Sequence, residues 1–186
     1  MIIALISADA GAATDLAQQL ALLRLYEGRH VLLLTSRRPH GMRPRVPYDD
    51  IVIASGTISG DAEALALSMA SVIIVLITPD ELQQRQPGTL LARVHAAIRL
   101  NPTARVLVSV AHGTRNLSAR EVGSILVFVA QLAPARLAEQ WVLDEQGGYH
   151  TRHSTRVRAD QESEQVLCAP EVRYLYRQVF HGVSVE

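Results

Sequence analysis

Five apolar runs recur along the chain, at Ile2–Ser7, His30–Leu34, Ile51–Ala54, Ser71–Ile77 and Arg105–Val110. Each is rich in Val, Ile and Leu and shows no alternation with polar residues, the pattern of a strand covered on both faces. Between them lie stretches of helical periodicity at Thr14–Glu27, Gly60–Met69, Gly88–Arg99 and Ser118–Gln131. Strand and helix in alternation predict an α/β, three-layer sandwich with a central, mainly parallel sheet and helices on both sides. One link departs from this rhythm. Thr35 to Asp49 holds Pro39, Gly41, Pro44 and Pro47 and is too short for a crossover helix, so it is expected to be an irregular loop. Beyond Trp141 the chain turns polar, then closes with an amphipathic helix over Pro170–Phe180.

At 186 residues the expectation is one domain, spanning 1–186, with a substantial core. Hydrophobic residues make up 48% and the formal charge is zero, which argues against disorder and against a strongly basic nucleic-acid binder. The single cysteine, Cys168, allows no internal disulfide and fits a reducing compartment. No apolar stretch approaches the roughly 20 residues needed to span a bilayer. The first arginine is Arg24, so the positive start of a signal peptide is missing. A cytoplasmic protein is expected. The histidines are scattered apart from His150 and His153, and no zinc-ligand spacing points to a metal. Gly56 to Gly60 is near in composition to a nucleophile elbow, but Ser59 stands one place late, and the segment reads as a turn leading into a helix.

The opening carries the most chemical information. An apolar strand runs to Ser7, a small-residue turn follows over Ala8, Asp9, Ala10, Gly11, Ala12, Ala13, Thr14 and Asp15, and a helix then places Leu16, Leu20 and Leu23 on one face. Strand, tight turn and helix in this order build a phosphate cradle, in which backbone N–H groups point at the anion and a lysine reaches the outer phosphates. All eighteen basic side chains of this protein are arginine. The frame is present and its lysine is not.

These residues resemble the ParA/MinD family of deviant Walker ATPases, which position plasmids, chromosomes and protein complexes. The similarity is strongest over Met1–Arg38, Tyr48–Gly60 and Ala70–Leu82. Members usually carry a loop of the form K-G-G-x-G-K-[ST]-[ST] before a helix with a Leu-Ala pair. Anchored on Leu20-Ala21, the resemblance puts the signature lysine at Ala8 and the phosphate-loop lysine at Ala13. The magnesium-binding hydroxyl is kept as Thr14, and the next becomes Asp15. The family's V-D-x-D-P strand end reads Leu34-Thr35-Ser36-Arg37-Arg38-Pro39, its Walker B aspartate falls on Ala54 or Ser55, and its adenine-side asparagine falls near Ser109. The hydrophobic scaffold stays while the catalytic positions change.

The resemblance therefore implies a pseudo-ATPase that binds no cofactor. Phosphoryl transfer depends on positioning and charge neutralisation, and little remains to supply either. Asp9 and Asp15 add negative charge: a carboxylate about 4 Å from a phosphate oxygen costs on the order of 4 kcal/mol at an effective dielectric near 20. Asp15 is expected to sit in the first helical turn and satisfy the positive helix end. An alanine- and glycine-lined turn can instead pack against another chain. The leading reading is a dimerising adaptor, binding itself or a ParA/MinD-type ATPase through residues 8–15 within a partition, positioning or assembly machine. Two alternatives follow from other features. Arg37, Arg38, Arg43 and Arg45 in the second loop, with Arg152, Arg156 and Arg158 near the end, could neutralise DNA phosphates nonspecifically. The other is an active enzyme with an unrelated substrate at the C-terminal strand ends. The last helix has only Arg173 and Arg177 as basic residues, which favours docking on the sheet over the membrane-targeting role of MinD-type tails.

Overall fold

The computed structural model describes residues 1–35, 47–55, 60–83, 87–111, 115–138, 141–143, 146–151 and 169–182. Alternate side chains of the first strand, β1 (Ile2–Ser7), enter two different cores: Ala4 and Ile6 on one side of the sheet, Ile3 and Leu5 on the other. That two-sided burial is why the run contains no polar alternation. β1 lies inside a six-stranded, wholly parallel sheet. The other strands are β2 (Val31–Leu34), β3 (Asp50–Ser55), β4 (Val72–Ile77), β5 (Arg105–Val110) and β6 (Arg136–Leu137), in the order β2-β3-β1-β4-β5-β6, so β1 pairs with β3 and β4.

Helices cover both faces. On one lie α1 (Ala10–Tyr26) and α6 (Pro170–His181), whose Leu16, Leu20, Leu175 and Val179 pack on Ile3, Leu5, Val52 and Ile74. On the other lie α2 (Asp61–Met69), α4 (Pro87–Leu100) and α5 (Ala119–Gln131), whose Leu67, Leu90, Val94, Ile125 and Phe128 meet Ile6, Ile73, Val75 and Val108. Burying each such aliphatic side chain contributes roughly 1.5–3 kcal/mol. The short helix α3 (Pro79–Gln83) packs along α5.

The five expected strands and five expected helices are all present, with boundaries that shift by a few residues. Four elements are additional: α3, the two-residue edge strand β6, and the two strands of a hairpin, β7 (Trp141–Leu143) and β8 (Tyr149–Thr151). The hairpin joins the main body where Leu117 and Tyr149 exchange backbone hydrogen bonds of 2.7 and 2.8 Å. The expected irregular loop between β2 and β3 falls largely on residues 36–46, outside the described residues.

The final helix docks on the sheet layer, as its weakly basic sequence suggested. Leu175, Tyr176 and Val179 are buried, and Arg105 of β5 donates to the carbonyls of Gln178 and Val179 at 2.7 and 2.9 Å, occupying acceptors that the helix end leaves open. The lower ends of α1 and α6 are tied by Arg24. Its Nε donates to buried Asp50 at 2.6 Å, its Nη1 to Glu27 at 2.7 Å, and its guanidinium lies over the Phe180 ring. Burial is the largest single influence and opposes the Asp50 charge, but Arg24 and the Met1 ammonium, 3.0 Å from Oδ1, together outweigh it and hold Asp50 below the usual carboxylate range.

Candidate functional site

The β1–α1 junction lies at the C-terminal edge of the sheet, where open α/β folds place their ligands. Its geometry differs from a phosphate loop in one decisive respect. α1 begins at Ala10, so six residues expected in the turn, Ala10 to Asp15, are helical, and only Ala8 and Asp9 remain between strand and helix. Asp9 is the N-cap: its backbone is extended, with φ −94° and ψ 107°, and its Oδ1 accepts from Gly11 N at 2.8 Å and Ala12 N at 3.2 Å. Ser7 Oγ accepts from Asp9 N at 3.1 Å and fixes the cap residue from the strand side. A Cβ built on Gly11 would meet Asp9 Oδ1 at 3.1 Å, so glycine there leaves the carboxylate room to fold over the first turn.

The remaining residues of the segment divide by exposure. Ala8, Asp9, Ala10, Gly11 and Asp15 are exposed, Ala12 and Thr14 are half-buried, and Ala13 has no accessible surface at all. Ala13, at the position aligned with the phosphate-loop lysine, thus points into the core beside Leu16 and Ala17. Thr14, the retained hydroxyl, donates to Ala10 O at 2.8 Å within its own helix. Two expectations need correction. Residues 8–15 do not form a loop, and Asp9 rather than Asp15 occupies the positive helix end, because Asp15 sits in the second turn once the helix starts at Ala10. An arriving phosphate would have to displace a covalently tethered anion from the N–H groups it needs.

Sequence reading missed Arg93. From α4 its Nη1 donates to Ser7 O at 3.0 Å and its Nη2 to Glu63 of α2 at 2.9 Å, placing a cation at the end of β1. The available signal was an arginine inside an apolar helical stripe, between Leu90 and Val94. Its charge is balanced by Glu63.

The same edge shows a repeated device. Two other helices that follow strands also close their own N-termini. At α3, Thr78 N donates to Glu81 at 2.8 Å, and Glu81 N to Thr78 Oγ1 at 3.2 Å. At α5, Ser118 and Glu121 form the reciprocal capping box. Hydrogen bonds from Arg115 and from the backbone and hydroxyl of Ser118 outweigh desolvation and hold the Glu121 carboxyl at about 2. The cap of α2 is Gly60, which offers no side chain. Ser59 and the rest of 56–59 lie outside the described residues, as do Arg37, Arg38, Arg43, Arg45, Arg152, Arg156 and Arg158. Ser109, at the adenine-side position, is buried within β5.

A wholly parallel sheet with its first strand inside, two helical layers and a strand-to-helix turn at the C-terminal edge define the class: a three-layer α/β sandwich. Within that class the fold is MinD-like. The chain is similar over 100% of its length, and 98% of the other, to a chain of the MinC:MinD cell division protein complex of Aquifex aeolicus, with a TM-score of 0.53 and 12% identity. It is similar over 100% of its length, and 99% of the other, to the MinD cell division protein of Aquifex aeolicus, with a TM-score of 0.50 and 15% identity. No family model matches the sequence, and no curated protein does.

Proposed function

We propose that the protein is a non-catalytic, ParA/MinD-like pseudo-ATPase that serves as an adaptor in cell division, partition or positioning, or in assembly of a larger machine. The observation that carries this reading is the Asp9 carboxylate, bonded to the N–H groups of Gly11 and Ala12 where a nucleotide phosphate would otherwise bind. Ala13 supports it, because a core-facing alanine replaces the cation that phosphate transfer requires. The solved MinC:MinD complex sets the precedent that a chain of this architecture can assemble with a protein partner. In the adaptor, exposed Ala8, Asp9, Ala10 and Gly11 offer a low, small-residue surface to a second chain, either another copy or an ATPase of the same fold.

Light scattering on the purified 20.3 kDa chain tests the reading. With and without ATP and magnesium, the mass is expected to be the same. A mass that doubles only with ATP would show that the junction still couples nucleotide to assembly and would overturn the proposal.

A further inference from the structure

The outer face of α1 has an apolar centre and oppositely charged ends. Asp15, Gln18, Leu22, Leu25 and Tyr26 recur at three- and four-residue spacing, so they share one stripe, opposite Leu16, Ala17 and Leu20 that face the sheet. All five are exposed: Leu22 retains 47% of its surface, Leu25 50% and Tyr26 66%. Arg29 closes the stripe. Gly28 has a positive φ of 76°, its N–H donates to Leu25 O at 2.9 Å, and Arg29 N donates to Arg24 O at 3.2 Å. This helix-terminating turn fixes the Arg29 backbone against the last turn.

Asp15 and Arg29 each stand seven residues from Leu22, one toward either end. At about 1.5 Å per helical residue, Asp15 lies roughly 10 Å along the axis from the central leucine; at the other end α1 stops at Tyr26, and Arg29 follows just beyond it, after the Gly28 turn. A two-fold axis through Leu22 therefore lays a second α1 antiparallel on the first. Leu22 meets Leu22, Leu25 and Tyr26 cover Gln18, and Asp15 of each copy comes beside Arg29 of the other. The opposed helix dipoles add to the attraction. A two-fold contact must be self-complementary, and this stripe is. The competing charge is weak: Arg29 meets Asp49 at only 3.7 Å on the exposed surface. The outer face of α5 also carries exposed Leu126 and Val127, but Arg120 is its one charge, so it lacks this complementarity.

We propose that the protein self-associates as a two-fold dimer through the outer face of α1, with Leu22 on the axis. This goes beyond the adaptor reading and stands without it, since it uses neither the junction turn nor nucleotide.

Charge reversal in the intact chain tests it. Sedimentation equilibrium on the wild-type protein is expected to show a dimer by about 100 μM, an affinity within reach of a small interface. Asp15→Arg alone and Arg29→Glu alone each place like charges opposite one another and are expected to weaken the dimer about tenfold or more. An equimolar mixture of the two variants restores both attractive pairs, so a heterodimer close to wild-type affinity is expected. Because rescue requires folded partners, it also controls for misfolding. Arg120→Glu, on the outer face of α5, is expected to leave the dimer intact. A monomeric wild type at that concentration, single reversals without effect, or a mixture that stays monomeric would each overturn the proposal. Loss of the dimer in Arg120→Glu with no effect of the α1 reversals would overturn it as well.

Discussion

Asp9 does at the N-terminus of α1 what a bound phosphate does in a nucleotide-binding domain: it accepts from the first free backbone N–H groups. Replacing it separates its structural role from any latent binding. Asp9→Ala is expected to lower stability by about 1 kcal/mol in urea unfolding, the usual loss of an N-cap. Restoring the aligned lysine has a larger effect. Ala13 is fully buried among Leu16, Ala17 and Ala21, so Ala13→Lys is expected to lower stability by about 3 kcal/mol or more, with no gain of nucleotide binding. Nucleotide binding by a well-folded Ala13→Lys variant would show that the cradle needs only its cation. The residues of this site were legible in the sequence, but their conformation was not. Gly11 and a run of alanines read as a loop under the pull of a phosphate-loop pattern. The competing signal was equally visible: aspartate is a strong N-cap, and alanine has the highest helix propensity of any residue.

At the scale of elements, local chemistry decides where helices begin and how they respond to pH. The capping box of α5 places the Glu121 carboxylate between Arg115 and Ser118, which lowers its value from 4.5 to about 2. A depressed carboxylate contributes stability above its unfolded value, and that contribution is lost as pH falls through the folded value. The stability difference between the wild type and Glu121→Gln is therefore expected to be present at neutral pH, to shrink as pH falls below 4.5, and to vanish below about 2. Urea unfolding of both proteins across that range measures it, and a difference independent of pH would contradict the assignment. The long elements were legible because their periodicity is strong: non-alternating runs for β1, β4 and β5, and paired three- and four-residue spacing for α4 and α5. The short ones were not. β6 has two residues and the hairpin strands three each, too few to show any period, and the hairpin is held to the main body by the bridge between Leu117 and Tyr149.

For the whole molecule, the sheet order follows from which runs are most completely apolar. β1 and β4 are paired on both sides and almost wholly buried, while β2 and β6 form the edges and keep partly exposed residues. This ordering puts the β1–α1 junction near the middle of the C-terminal edge. There Arg93 and Glu63 pair while Asp9 caps α1, and no helix among the described residues is long and apolar enough to cross a membrane. The fold is MinD-like, and the N-terminus of α1 is capped by the chain's own Asp9 side chain; the proposed function rests on that cap excluding a nucleotide phosphate. Isothermal titration of the wild-type chain with ATP and magnesium tests that claim most directly. No saturable heat up to about 1 mM nucleotide is the expected result. A one-to-one isotherm with a micromolar dissociation constant would contradict it.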